Sequence, residues 1–387
     1  MKYIWQNKSW PGFTWNSDDL LKLLGNVRFN QGSLIAQIRD LGFDIQQTAR
    51  ADVLLEEALK TSAIEGEILD PDAVRSSVGR QLGLPDAGLK NVQDQKAEGL
   101  IQILLDATNN YARELTSDRL FAWHAALFPT GFSGMVKINV AKWRDDKQGP
   151  MQVVSGPVGK KEIHFEAPPA HLLETEMRAF ISWVNEKSYM DSIIQAAIAH
   201  LWFVTIHPFD DGNGRIARTL TDMMLARDEN SPKRFYSLSS QIMAEQDEYY
   251  DALNSAQTGP LDITLWLEWF LECMNRAILS SHSLLERILA KARFWKVFAQ
   301  TRLNDRQIKV INRLLDLGPG GFTGGLKNKK YKGITHTSRA TAQRELADLV
   351  EKGILIKRPG GGRSTSYDLD WSNRSWDARK PGGFKSS

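Results

Sequence analysis

Twelve residues near the middle of the chain, His207-Pro-Phe-Asp-Asp-Gly-Asn-Gly-Arg-Ile-Ala-Arg218, constrain it most, because they bring an imidazole, carboxylates, a glycine-rich turn and two arginines together. Ser192 to Thr205 is an apolar run with helical spacing, ended by Pro208, and helical spacing resumes from Arg215. The motif therefore reads as a loop between two helices. Gly212 and Gly214 free the backbone to turn its N–H groups toward one point at the second helix's N-terminus, where orphan donors and the helix dipole favour an anion. Arg215 and Arg218 fall three apart on one helical face, and two guanidiniums converging there repel unless an anion lies between them. Asp211 offers the hard oxygen that Mg²⁺ accepts beside phosphate oxygens. A neutral His207 can take a proton from an incoming hydroxyl near pH 7. The residues thus predict a phosphate-handling site.

The run matches the motif His-x-Phe-x-Asp/Glu-Gly-Asn-Gly-Arg-x-x-Arg at every defined position, and on this ground the chain resembles the Fic family. The resemblance implies a mainly α fold, a Fic-type helical core with a short β-hairpin flap. It makes His207 the general base, Asp211 the Mg²⁺ ligand, and Gly212, Asn213 and Gly214 the anion hole. Arg215 and Arg218 would bind the departing pyrophosphate of ATP, with Phe209 a buried anchor. Most members transfer AMP from ATP to a Ser, Thr or Tyr hydroxyl of another protein.

Upstream, Ala51 to Ile64 is helix-forming throughout and Gly66 is placed to end it. Thr61-Ser-Ala-Ile-Glu65-Gly66 resembles the family's inhibitory motif, which implies that Glu65 pairs with Arg218. A carboxylate there would occupy the guanidinium and repel a triphosphate. Between the two motifs, Lys142-Trp-Arg144 leads into two short β-like runs split by Gly156, Pro157 and Gly159. These resemble the family's flap, which pairs with an extended target segment, and make Ile163, His164 and Phe165 the expected clamp. Downstream, Glu248 to Gln257 resembles the segment closing the adenosine pocket, with Tyr250 and Gln257 as contacts. His200, Trp202 and Phe203 lie on an apolar helix and read as core.

The chain has 387 residues, 42% hydrophobic and 25% charged, enough for two or three packed units. No apolar run approaches bilayer length and the start has no signal-peptide core, so a cytoplasmic location without a membrane partner is expected. The single cysteine, Cys273, excludes a disulfide framework and reads as a small buried hydrophobe. Charge is unevenly spread. From Arg287 onward there are 22 Lys/Arg against 8 Asp/Glu, which leaves the rest of the chain net acidic despite the overall +3. Within the basic part, Asn304 to Leu317 is an amphipathic helix, Ile334 to Gly353 gives a turn and a capped helix, and Ile354 to Leu369 makes two β-like runs around Pro-Gly-Gly-Gly-Arg. That is the order of a winged helix. It would expose Ser338, Arg339, Thr341, Gln343 and Arg344 to a major groove and lay Arg358 to Arg363 along phosphate.

The expected organisation is a Trp-rich packing extension (1–45), a helical segment with the inhibitory motif (46–115), a catalytic core (116–280), a helical linker (281–303), a winged-helix-like domain (304–371) and a flexible tail (372–387). Three functions compete at this point: an AMP transferase held in check by Glu65, a hydrolase removing AMP with Glu65 placing water, and a DNA-binding regulator whose site senses nucleotide. Expected partners are ATP with Mg²⁺ and a hydroxyl-bearing protein target, with a homodimer and DNA as further candidates.

Overall fold

The computed structural model describes residues 3–39, 41–84, 94–147, 149–155, 162–319, 321–358 and 365–371. The expected flexible tail, the tip of the flap and most of the expected wing, including Arg363, lie outside these. The chain divides into two compact units, residues 1–41 with 46–281 and residues 42–45 with 282–387.

In chain order the helices are α1 (Ser17–Arg39), α2 (Phe43–Ile64), α3 (Pro71–Leu82), α4 (Gln95–Asn109), α5 (Ser117–Leu127), α6 (Leu173–Asn185), α7 (Ser192–Ile206), α8 (Asn213–Asp228), α9 (Leu238–Ala244), α10 (Gln246–Thr258), α11 (Thr264–Val297), α12 (Asp305–Leu317), α13 (Asn328–Thr335) and α14 (Arg339–Glu351). Among the described residues three two-stranded antiparallel sheets accompany them: β1 (Phe132–Ser133) with β2 (Val136–Lys137), β3 (Gln152–Ser155) with β4 (Glu162–Glu166), and β5 (Leu355–Lys357) with β6 (Tyr367–Leu369). The fold is mainly α, as expected.

The first unit is built around α7. Its sequence is apolar on every side, which demands burial on every side, and all residues from Ile193 to Ile206 except Gln195 are buried. It packs along α8, which in turn meets α4 and α5. The buried α8 is nonetheless polar, and its hydroxyls are spent locally, Thr219 donating to the Arg215 carbonyl and Thr221 to the Ala217 carbonyl. His200 on α7 bridges the Thr221 and Tyr249 hydroxyls at 3.0 Å each, the core role expected of it. The Trp-rich N-terminal segment does pack. The Trp5 indole donates to the Glu166 carbonyl, the Trp10 indole to Glu176, and the Trp10 and Phe13 rings meet Trp202 edge-on.

In the second unit, α12, α13, α14 and the β5–β6 hairpin enclose a core that includes Val310, Leu314, Tyr331 and Leu346. Asn304 and Gln307 cap the start of α12 reciprocally. The buried Glu345 carboxylate accepts from Asn304, Arg306 and the Tyr331 hydroxyl, so its charge is paired. One boundary differs from expectation. The segment 281–303 is not a separate linker, because α11 continues to Val297 without a break and its Phe294 is buried in this second core.

Candidate active site

The motif lies between α7 and α8, as its composition requires. His207 ends α7 in a left-handed conformation (φ 51°), and Gly212 (φ 82°) starts α8. A side chain at Gly212 would be strained by that φ and would also meet the Phe128 ring at 2.8 Å. Asn213 is a strut of the loop: its side chain accepts from the Phe209 N–H at 2.9 Å and donates to the Phe209 carbonyl at 2.8 Å. What it can offer an anion is its backbone N–H. The first helical bond of α8 is made by Ile216 to the Gly212 carbonyl, so the N–H groups of Asn213, Gly214 and Arg215 precede the ladder. Phe209 is fully buried and stacks on His124 at 4.2 Å, the anchor expected of it.

The His207 ring presents one nitrogen. Its Nδ1 lies 3.2 Å from the Val204 carbonyl, which can only accept, so Nδ1 carries the proton and Nε2 keeps its lone pair. Packing around the ring pushes its pKa down to about 4, although part of its surface still meets solvent. The imidazole is therefore neutral at pH 7. Two buried residues that the motif does not name hold this geometry. The Arg144 guanidinium donates to the His207 carbonyl at 2.8 Å and to the Pro168 carbonyl at 2.5 Å, and its N–H donates to the Pro208 carbonyl at 2.9 Å. His124 accepts from the Ala141 N–H on Nδ1, so its Nε2–H donates to the Asp211 carbonyl at 3.1 Å.

Burial has a consequence for stability. The rings of His124, His200 and His207 are driven down to about 4, about 3 and about 4 by desolvation. In the unfolded chain each would titrate near 6.5. Between those values the unfolded state binds more protons, so the stability is fully present above about pH 6.5 and is lost as pH falls toward 4. The loss is about 2 kcal/mol per ring at pH 5. A melting temperature unchanged from pH 7 to pH 5 would contradict these neutral, buried rings.

The end of α2 faces the two motif arginines. Gly66 (φ 74°) closes the helix, with the Gly66 N–H on the Ala63 carbonyl and the Glu67 N–H on the Ser62 carbonyl, a Schellman ending. This turn presents two carboxylates. Glu65 accepts from Arg218 Nη2 at 2.7 Å, and Thr61 accepts from the same guanidinium through its hydroxyl at 2.7 Å and its carbonyl at 2.9 Å. Arg218 is 2% exposed, and the Glu65 carboxylate holds it charged against its burial. Glu67, which the motif does not include, accepts from Arg215 at 2.7 Å and from Lys96 at 2.5 Å. The Glu65 carboxylate also lies against Gly214, where an added Cβ would come 2.1 Å from its Oε1. Arg215 Nε and Arg218 Nη1 are buried with no hydrogen-bond partner.

Asp211 accepts from the Gly212 N–H at 2.5 Å and from the Ser133 hydroxyl, and lies 3.7 Å from Arg215. Tyr250, 42% exposed, stands at the end of α2, its hydroxyl donating to the Ile64 carbonyl at 3.3 Å. Gln257 does not join it. Its amide is buried and donates to Thr205 at 3.3 Å, so it serves the packing of α10 on α7 rather than an open pocket wall.

The flap also differs in part. β3 and β4 pair, with a bulge that sets Val153 against Phe165 and Val154 against Ile163 and leaves His164 as the extra residue. Ile163 is exposed. Phe165 is 1% exposed and packs edge-on against Tyr3 at 5.2 Å, so the expected clamp does not include it. Nothing near Phe165 in sequence announces that partner, which lies at the chain's start.

Two segments of the chain match known families. Residues 114–225 match the model of the Fic/DOC family, and residues 3–84 match a domain of unknown function, DUF4172. The protein adenylyltransferase Fic of Nematostella vectensis is 38% identical over 116 residues, 29% of this chain and 25% of that protein. The probable protein adenylyltransferase aq_aa38 of Aquifex aeolicus is 30% identical over 97 residues, 25% and 28% of the two chains. This chain thus matches about a quarter of the length of those curated relatives. In fold it is similar to a Fic family protein from Desulfovibrio desulfuricans, with a TM-score of 0.54 at 18% identity over 93% of this chain and 98% of that one. A Fic domain containing signaling protein from Bacteroides thetaiotaomicron gives 0.51 at 17% over 67% and 97%. The complete twelve-residue motif, seated between α7 and α8, falls inside the segment 114–225 that matches the Fic/DOC family.

Proposed function

We propose that this chain transfers AMP from ATP to a hydroxyl side chain of a protein, and that Glu65 restrains the transfer in the resting state. One observation carries the reading: the α8 N-terminus and the partnerless Arg215 Nε and Arg218 Nη1 form a buried cationic seat beside a neutral imidazole, and a carboxylate from α2 already occupies it. Such a seat stabilises an anion through oriented N–H groups and charge-assisted bonds. In the reaction the acceptor oxygen bonds to the α-phosphorus, the bond from that phosphorus to the pyrophosphate oxygen breaks, and pyrophosphate leaves. The acceptor's proton passes to His207 Nε2. Arg215 and Arg218 pair with the departing phosphates, and exposed Ile163 on β4 lies along the acceptor chain as an added strand.

Asp211 is the residue to hold Mg²⁺. Its carboxylate is partly exposed, and no group of three or more His, Cys, Asp or Glu placed to hold a metal occurs among the described residues. That donor set fits a cation which keeps several waters and takes its other ligands from phosphate. Bound there, the ion would neutralise phosphate charge.

The test is incubation of the wild type and a Glu65→Gly variant with labelled ATP, alone and with cell lysate, reading AMP-sized mass shifts. No label in either, with the variant folded, overturns the proposal. A second measurement addresses the arginine roles. Arg215→Ala is expected to weaken ATP binding by about 1.5–3 kcal/mol while AMP binding changes little, since the phosphate it meets is absent from AMP. Equal losses by calorimetry would move Arg215 out of the pyrophosphate seat.

A further inference from the structure

From Leu317 to Arg344 the sequence holds no aspartate or glutamate but six cations, Lys327, Lys329, Lys330, Lys332, Arg339 and Arg344. The acid-free stretch covers all of α13 and the first half of α14. Elsewhere in this unit carboxylates are spent on neighbouring cations: Asp316 on Lys291, Glu345 on Arg306, Asp348 on Lys352. None of these cations belongs to the six. Lys330 is half-buried, its ammonium 4.5 Å from the Phe322 ring centre. Lys327, Lys329, Lys332, Arg339 and Arg344 are exposed and make no ion pair among the described residues.

The unit's own packing decides where these charges point. On α14, Ala342, Glu345, Leu346 and Leu349 face the core, which leaves Arg339, Ala340, Gln343, Arg344 and Ala347 as one outward stripe. Ser338 caps the helix by accepting from the Thr341 N–H, so the expected contacts Ser338 and Thr341 are partly used in capping. No large apolar side chain is exposed on α13 or α14, unlike a surface that inserts in lipid or builds a protein interface. The stripe mixes guanidiniums with an amide, the groups that read guanine and adenine edges in a major groove. Exposed Lys327 at the start of α13, exposed Lys329 and Lys332 on it, and exposed Lys357 on β5 belong to elements that pack against α14.

We propose that the second unit is a winged helix that binds duplex DNA, with α14 in the major groove and Lys327, Lys329, Lys332 and Lys357 on the backbone. Neutralising Z phosphates gives a salt slope of about −0.9Z, so the four lysines, with Arg339 and Arg344 also neutralising phosphate charge as α14 enters the groove, predict a slope of about −5. The experiment uses the full chain, a fluorescent duplex of about 20 base pairs, and anisotropy across salt from about 50 mM upward. Arg339→Glu/Arg344→Glu should lower affinity at least about tenfold and flatten the slope by about two, whereas Arg339→Lys/Arg344→Lys should keep the slope. Lys22→Glu/Lys187→Glu, an equal charge change on exposed lysines of the first unit, should leave binding intact. Absence of duplex binding at low salt overturns the proposal. So does an Arg339→Glu/Arg344→Glu variant that melts like wild type and binds like it, or an equal loss from the Lys22/Lys187 variant. Binding to anionic vesicles but not to duplex would assign the stripe to a membrane surface instead.

Discussion

His207→Ala is expected to lower AMP transfer by about 10²–10⁴ while leaving ATP affinity within about twofold. The imidazole is held by contacts that have nothing to do with phosphate: Nδ1 on the Val204 carbonyl and the backbone carbonyl on Arg144. Its free Nε2 is the atom that can receive the acceptor's proton, so its loss removes the base and spares the anion seat formed by α8 and the two arginines. The pH profile carries a second signature. A solvent-exposed histidine would give an acid limb near 6.5. Here burial places the limb near pH 4, so transfer should stay level from pH 8 down to about 5.5. The measurement is single-turnover transfer in a Glu65→Gly background, with ATP affinity from calorimetry. Substantial residual transfer by the folded variant would remove His207 from the role of base.

What the sequence disclosed about this site, and what it hid, divides along the range of the interactions. The loop from His207 to Arg218 was legible because its requirements are local: a stop at Pro208, a left-handed Gly212, free N–H groups at the α8 start. The Glu65 contact was legible because a short motif on one helix end implies it. Glu67 was not, although it holds Arg215 as closely as Glu65 holds Arg218. The signal was present in Gly66, since a Schellman ending folds the residue after the glycine back onto the last turn of the helix, the turn that carries the inhibitory motif. Arg144 and His124 escaped notice for a different reason. Each acts on backbone carbonyls more than sixty residues away, and a carbonyl leaves no mark in a sequence. Phe165 and Gln257 were misread because each has the right chemistry for its expected role but is buried by a distant partner, Tyr3 in one case and Thr205 in the other. The overall architecture was easier. The all-round apolarity of α7 and the capped, amphipathic α12 state their own environments, whereas the continuity of α11 past residue 280 rests on the absence of any break.

Glu65→Gly is expected to raise automodification and target AMPylation at least about tenfold, because the carboxylate it removes lies where the phosphate charge must come. In the resting structure that carboxylate touches the Gly214 position and bonds Arg218, while Arg218 Nη1 stays without a partner. A triphosphate entering this seat meets a negative charge at the helix end and a guanidinium already engaged. Glu65→Asp should fall between wild type and Glu65→Gly, since its shorter reach weakens the bond to Arg218 without removing the charge. The gain should vanish in Glu65→Gly/His207→Ala, which keeps the open seat and loses the base. Glu67→Gln should act more weakly and mainly on the ATP concentration needed, because Arg215 also has Asp211 nearby at 3.7 Å and Glu67 shares its charge with Lys96. Stripping one partner from a buried pair costs about 3–5 kcal/mol. Arg218 keeps both Thr61 contacts, so Glu65→Gly should cost less than that and melt a few degrees lower, with ATP restoring the difference as its phosphates pair the guanidinium. The restraint is falsified if a folded Glu65→Gly protein transfers AMP no faster than wild type to any target, itself included. An unchanged forward rate with AMP-protein accumulating would instead give Glu65 the task of placing water for removal of AMP.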